Sequence, residues 1–147
     1  MISSNSILST SEQGRYVSHN EVFSGLILVV DDEKNVLKTC VKMAEVFGFT
    51  VITAADGQDG VAVFQEHKDT IKLVILDLTM PKMDGIAAMT EMYRIRPEIK
   101  VILSSGYNNE DLAGKITGPP PAGYLRKPYG LNEMETEIRR VLCSCNE

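Results

Sequence analysis

The strongest structural signal in the sequence is the run Leu26-Ile27-Leu28-Val29-Val30-Asp31-Asp32. Its aliphatic run is short and continuous, which is typical of a strand that is buried on both faces of a parallel sheet. Two acids follow the run directly. A second run, Leu73–Leu76, repeats the pattern and is followed by Asp77. The sequence therefore places carboxylates at the ends of two buried strands.

Helical and strand patterns alternate after the first run. Apolar residues recur at helical spacing from Val36 to Phe47, and the short β-branched stretch Thr50–Ala54 predicts a second strand. The turn at Asp56-Gly57 begins a second predicted helix, and Leu73–Leu76 is the third strand. A third helix is predicted over Gly85–Arg94. Each strand is thus separated from the next by a helix.

The remaining part of the chain continues this alternation. Val101–Leu103 predicts a fourth strand, a short fourth helix follows, and Gly118–Pro121 excludes helix where it stands. A fifth strand is predicted over Tyr124–Arg126, and a fifth helix carries its apolar residues from Leu131 to Leu142. Strands joined by helices run parallel with right-handed crossovers, so we predict a doubly wound α/β fold with helices on both faces.

Polar residues follow four of the predicted strands. They are Asp31 and Asp32, Asp77, Ser105 and Lys127. In doubly wound sheets the carboxyl ends of the strands meet at one edge, where ligands bind. An acid in such a loop often caps a helix, but capping does not explain polar groups on four strand ends. Carboxylates that crowd together need a cation, and a ligand set made only of oxygen favours Mg²⁺.

These residues resemble the response-regulator receiver domains of two-component signalling. The resemblance runs from Leu26 to about Leu142 and depends on four segments of the sequence. The segments are Val29–Glu33, Leu76–Gly85, Leu103–Tyr107 and Gly123–Tyr129. The resemblance implies a flavodoxin-like five-stranded parallel sheet in the order 2-1-3-4-5, with five helices. Ser-Gly-Tyr and Lys-Pro-Tyr are most similar to receivers of hybrid sensor histidine kinases.

The resemblance also implies an acceptor and a metal site. Asp77 would accept a phosphoryl group from a histidine kinase or a phosphotransfer protein and become an aspartyl phosphate. Asp32, Asp77 and the backbone carbonyl of Thr79 would bind Mg²⁺ directly, and Asp31 would act mainly through water. Phosphoryl transfer depends more on positioning and charge neutralisation than on an acid or a base, which suits this set of residues. Such a domain catalyses its own phosphorylation and is not otherwise an enzyme.

A conformational switch is the second implication. Lys127 and Ser105 would contact the phosphoryl group, and Tyr124 would rotate into the space that Ser105 leaves. Without the resemblance, Tyr124 is equally well interpreted as a strand aromatic that packs on the last helix. The bond Lys127-Pro128 would be cis. Helix 4, strand 5 and helix 5 would form the output face, which is also the candidate homodimer interface.

Two features depart from the family pattern, and two other functions fit part of it. Gly118–Pro121 shortens the fourth helix, and Thr79 alters how water approaches Asp77, so the phosphate lifetime is not predicted.

A haloacid-dehalogenase-type phosphatase also uses an aspartate nucleophile with Mg²⁺, but it needs a second aspartate where Thr79 stands. A receiver-like interaction module that is never phosphorylated is the other alternative.

Composition limits the organisation and the partners. A chain of 147 residues supports one core, and a net charge of −5 without a basic cluster argues against direct binding of nucleic acid. The serine-rich residues 1–24 are predicted to be a linker or extension, with the receiver over residues 25–147. No apolar run is long enough to cross a membrane, and the odd number of cysteines does not suggest disulfides, so we expect a cytoplasmic domain.

Overall fold

The computed structural model describes residues 24–80, 83–106, 114 and 116–143. Strands and helices alternate through most of this range. The strands are β1 (Leu26–Val30), β2 (Thr50–Ala54), β3 (Ile71–Asp77), β4 (Lys100–Ser105) and β5 (Gly123–Arg126). The helices are α1 (Lys34–Val46), α2 (Gly57–Glu66), α3 (Gly85–Ile95) and α4 (Leu131–Cys143). Helix α4 corresponds to the fifth helix predicted from the sequence.

The five strands form one parallel sheet in the order β2-β1-β3-β4-β5. This order confirms the predicted doubly wound topology. Strand β1 lies between β2 and β3, so β1 and β3 are adjacent near the centre of the sheet. The fourth predicted helix was placed between β4 and Gly118, where residues 107–113 and 115 lie outside the described residues. Residues 116–122 contain no helix, as the three prolines predict.

Two apolar layers cover the sheet. One joins alternate strand residues to Cys40 and Ala44 of α1 and to the apolar side of α4. The other joins the remaining strand residues to Phe64 of α2 and to Met89 and Met92 of α3. Phe64 is completely buried, and full burial of such a side chain stabilises a fold by about 1.5–3 kcal/mol. The continuous aliphatic runs arise because both faces of the central strands are covered.

Helix α4 covers the free edge of β5 with a pair of charged side chains. Oε2 of Glu137 accepts a hydrogen bond from the backbone N–H of Tyr124 at 2.8 Å, and Arg140 donates to the carbonyl of Ala122 at 3.0 Å. Arg140 and Glu137 also form a salt bridge at 2.6 Å. Gly123 leaves room for this arrangement, because a Cβ there would overlap Oε2 of Glu137. The edge strand therefore presents satisfied backbone groups.

The beginning of β1 is fixed at the opposite end of the sheet from the predicted site. Gly25 has a positive φ of 108°, which glycine adopts without strain. Its carbonyl accepts a hydrogen bond from the N–H of Thr50 at 2.8 Å. The ammonium of Lys72 donates to the carbonyl of Ser24 at 3.0 Å. No helix in the described part of the chain is both long and apolar enough to span a bilayer.

Candidate functional site

The site lies at the carboxyl ends of the central strands. Asp31 follows β1, Asp77 ends β3, Ser105 ends β4 and Lys127 follows β5. Because β1 and β3 are adjacent, Asp31 and Asp77 lie side by side where the strand order changes direction. The topology thus brings together the acids that the sequence places after separate strands.

Lys127 joins these acids. Its Nζ lies 3.0 Å from Oδ2 of Asp31 and 3.1 Å from Oδ1 of Asp77, and a longer contact of 3.5 Å reaches Oε1 of Glu33. Its backbone N–H donates to the carbonyl of Ser105 at 2.6 Å. Burial opposes the ammonium charge, but the hydrogen bonds and charges of Asp31 and Asp77 outweigh burial and raise the pKa of Lys127. Lys127 is therefore charged at neutral pH.

Asp77 is an unusual acid. Its residue surface is only 4% exposed, and burial is the main cause that raises its pKa from 3.8 to about 6. The negative charge of Asp31 raises the pKa further, and that of Asp32 adds to it, while Lys127 lowers it. One lysine thus does not fully compensate the carboxylates around it.

The three aspartates form an all-oxygen cluster. Asp31, Asp32 and Asp77 each offer a carboxylate oxygen, and these atoms lie within 4.8 Å of one another. Asp31 and Asp77 are buried, whereas Asp32 is exposed on the open side. Oδ1 of Asp31 accepts the N–H of Glu33 at 2.9 Å, so both oxygens of Asp31 are engaged within the chain. Hard oxygen ligands with excess negative charge fit Mg²⁺.

The other predicted site residues surround this cluster at different depths. Ser105 is buried at the end of β4, and Thr79 is exposed just beyond Asp77. Tyr124 is half-buried and packs in the layer that contains α2 and α3, while its neighbour Leu125 packs on the layer of α4. The alternative that Tyr124 packs on the last helix is therefore wrong, because successive strand residues point to opposite faces.

The loop between β3 and α3 is anchored at its two ends. The N–H of Leu78 donates to the carbonyl of Ser104 at 2.9 Å, and the N–H of Gly85 donates to the carbonyl of Leu78 at 2.7 Å. Oδ1 of Asp84 caps α3 by accepting the N–H of Ala87 at 2.9 Å. On the other side of the site, the Lys127-Pro128 bond is cis, as the resemblance implied.

Two contacts near the site were not predicted from the sequence. Glu33 approaches Lys127 from the start of α1. Tyr129, two residues beyond Lys127, forms a hydrogen bond with the buried thiol of Cys40 in α1; burial is the main cause that raises the pKa of Cys40 to about 11. Burial also raises the pKa of Tyr129. Glu33 is the third acid of the run Asp31-Asp32-Glu33, and this run could have suggested its contact with Lys127. No local sequence pattern predicts the hydrogen bond between Tyr129 and Cys40.

The fold and the charged edge define a doubly wound α/β domain with an acidic pocket at the switch point of its sheet. Residues 27–139 match the response regulator receiver domain family, and the chain belongs to that family. It is therefore a receiver domain of two-component signalling. The match also decides against the phosphatase alternative.

Two similar proteins illustrate the range of the family. The sensor kinase CckA of Brucella abortus (strain 2308) is 31% identical over 119 residues, which are 81% of this chain and 13% of that protein. The probable transcriptional regulator ycf27 of Cyanophora paradoxa is 36% identical over 125 residues, which are 83% of this chain and 50% of that protein. The chain thus spans half or less of either relative.

A solved structure supports the fold. A chain of the CheX–CheY complex with BeF₃ and Mg²⁺ from Borrelia burgdorferi superposes with a TM-score of 0.73 at 31% identity. The match covers 80% of this chain and 88% of that chain. Receiver domains bind Mg²⁺ at an acidic pocket, and the cluster of Asp31, Asp32 and Asp77 has the composition of such a pocket.

Proposed function

We propose that this receiver accepts a phosphoryl group on Asp77 from a histidine kinase or a phosphotransfer protein, with Mg²⁺ bound beside it. The observation that carries the proposal is the arrangement of Asp31 and Asp77, which are both buried and share the ammonium of Lys127. Such a carboxylate is held in one place and remains poorly neutralised. A bound cation would offset the excess negative charge of these carboxylates and of an incoming phosphoryl group.

The chemistry is a direct displacement at phosphorus. An oxygen of Asp77 attacks the phosphoryl group of a phosphohistidine, the P–N bond breaks, a P–O bond forms, and the imidazole leaves with the electron pair of the broken bond. Asp32, Asp77 and the backbone carbonyl of Thr79 would hold Mg²⁺, which would supply positive charge to the phosphoryl oxygens. Asp31 acts through water, since its own oxygens are engaged by Lys127 and Glu33. Lys127 is already beside Asp77, and its ammonium offsets part of the negative charge of the product.

The output is a change of surface. Phosphorylation shifts an existing equilibrium because Ser105 and Lys127 contact the phosphoryl group in one state more than in the other. Tyr124 then moves within the layer that it shares with α3. The face formed by the predicted fourth helix, β5 and α4 is the candidate surface for partners and for a homodimer. The domain acts in the cytoplasm, without direct contact with nucleic acid or membrane.

Two questions of organisation belong to this proposal. Residues 1–24 form an extension, and the receiver occupies residues 25–147. The similarity to a sensor kinase supports a place within a hybrid histidine kinase, although a free-standing regulator has the same chemistry. In either case the phosphoryl group would reach Asp77 from a histidine.

Phosphoryl uptake tests the acceptor. Acetyl phosphate with Mg²⁺ should add about 80 Da, the mass of one phosphoryl group, to the intact protein. The Asp77→Asn variant should gain nothing, and Asp69→Asn, which changes an exposed aspartate, should behave like the wild type. Uptake by Asp77→Asn would contradict the assignment. A wild type that takes up no phosphate would favour the interaction module that is never phosphorylated.

Amide chemical shifts test the switch. Beryllofluoride with Mg²⁺ should shift the amides near Asp77 and also those from Tyr124 to Leu131. Ser105→Ala should retain the first group of changes and reduce the second. Changes confined to the pocket of the wild type would contradict a switch and would favour a passive phosphate relay.

A further inference from the structure

The amino end of α2 contacts the loop that follows Asp77. Asp56 caps this helix, since its Oδ1 accepts the N–H of Asp59 at 2.8 Å. Gly57, the first residue of α2, is buried. A Cβ on Gly57 would overlap the carbonyl oxygen of Met83 and would lie 2.8 Å from its carbonyl carbon. Because the obstructing atoms belong to the backbone, rotation of a side chain does not relieve the overlap.

Met83 lies in the loop between β3 and α3, at the end that leads into α3. The next residue, Asp84, caps α3, and Gly85 is joined to Leu78 by a backbone hydrogen bond of 2.7 Å. A Cβ on Gly85 would overlap the carbonyl oxygen of Asp77. The part of the loop that leads into α3 therefore packs directly on the backbone of Asp77.

We propose that Gly57 is a positioning residue for the Mg²⁺ pocket. This inference rests on the proposed function, in which Asp77 and the carbonyl of Thr79 bind the metal. Thr79 lies in the same loop, between Leu78 and Met83, so a larger side chain at position 57 displaces Met83 and moves the Thr79 carbonyl. Glycine at this position keeps the loop at the distance that the metal requires.

Gly60 provides a matched control in the same helix. A Cβ on Gly60 would lie 3.0 Å and 3.1 Å from the two methyl groups of Val30. Alanine at position 60 therefore strains the core beneath β1 and does not press on the loop. Both substitutions crowd buried sites, so a loss of stability alone does not distinguish them. The affinity for Mg²⁺ does.

The test compares Gly57→Ala and Gly60→Ala by calorimetric titration with Mg²⁺ and by thermal unfolding. Gly57→Ala should bind Mg²⁺ about tenfold more weakly than the wild type, because small displacements of a positioned group have large effects. Gly60→Ala should bind within about twofold of the wild type, whatever stability it loses. Wild-type affinity in Gly57→Ala would overturn this inference alone. A wild type that binds no Mg²⁺ would overturn the proposed function together with it.

A measurement on the wild type covers the case in which Gly57→Ala does not fold. In an NMR titration with Mg²⁺, the amide of Gly57 should shift with the same midpoint as those of Leu78 and Thr79. The amide of Gly60, one turn further along α2, should remain in place. An unchanged Gly57 amide, while Leu78 and Thr79 shift, would overturn the inference.

Discussion

The acidic pocket and the edge of β5 use similar groups in opposite ways. At the edge, Glu137 and Arg140 form a one-to-one pair; Glu137 also accepts a hydrogen bond from a backbone N–H of β5, and Arg140 donates one to the carbonyl just before the strand. In the pocket, Lys127 serves both Asp31 and Asp77, and Asp32 adds a third negative charge nearby. Charge is therefore balanced at the edge and in excess in the pocket.

The difference separates a stabilising arrangement from one prepared for a ligand. The edge pair satisfies backbone groups that would otherwise be open to another strand. The pocket instead holds carboxylates that burial and mutual repulsion disfavour, and the raised pKa of Asp77 expresses this cost. Such strain is retained where a bound cation offsets it.

The largest expected effect is the removal of the pocket lysine. In metal-free protein at pH 7.5, Lys127→Met should lower the free energy of unfolding by about 3 kcal/mol, because two buried carboxylates lose their cation. Arg140→Met, at the more exposed edge pair, should cost less than about 1 kcal/mol. Urea denaturation measures both. Equal losses would remove the distinction between the two regions.

Removal of the negative charge of Asp77 should have the opposite sign. Asp77→Asn should raise the metal-free free energy of unfolding by about 1 kcal/mol, because it relieves repulsion with Asp31. Glu137→Gln should lower the free energy of unfolding by a similar or smaller amount, because the glutamine amide accepts the hydrogen bond from the strand less strongly than a carboxylate does. The same urea series compares them. A destabilised Asp77→Asn would show that the pocket is not strained.

The pH dependence of stability tests the strain in the pocket by a second route. The pKa of Asp77 rises from 3.8 in the unfolded chain to about 6 in the folded one, so the folded state binds the proton more tightly. Its contribution to stability is present below about pH 4 and is lost as the pH rises through about 6. With EDTA present, wild-type stability should fall across this range relative to Asp77→Asn. Parallel curves for the two proteins would contradict the raised pKa.

The buried thiol of Cys40 gives the smallest effect. Its pKa of about 11 predicts little thiolate, and hence slow alkylation by iodoacetamide, in the folded wild type at pH 8. Lys127→Met should slow this reaction further, because the charge of Lys127 lowers the pKa of Cys40 in the wild type, whereas Arg140→Met should leave the rate unchanged. Mass spectrometry of the labelled peptide gives the rate. An equal rate in both variants would mean that the charge of Lys127 does not act on Cys40.

The sequence predicted the order of elements well because aliphatic runs and helical periodicity are local signals. β1 and β2 have the predicted bounds, whereas β3 and β4 extend further. Their added ends include Lys100, which pairs with Leu73 of β3, and Lys72, which lies where the pairing of β1 with β3 shifts register. Tyr124 was harder to place, since its alternation with Leu125 indicates opposite faces but not which face meets which helix.

Contacts between distant segments could not be predicted. The spacing of Glu137 and Arg140 suggests a salt bridge within a helix, yet their bonds to β5 depend on how α4 crosses the sheet edge. The contact of Gly57 with Met83 is equally nonlocal. The polar residues that follow successive strands could be placed at one end of the sheet from the sequence, because parallel topology alone brings them there. Their distances and pKa shifts required the structure.

The ends of the described domain have a consequence for modular assembly. Ser24 is held by Lys72 at the start of β1, and Arg140, near the end of α4, contacts Ala122 just before β5. A five-residue strand spans about 16 Å, so both attachment points lie roughly that far from the pocket, at the opposite end of the sheet. A fusion partner joined at either attachment point should therefore leave the affinity of the pocket for Mg²⁺ unchanged.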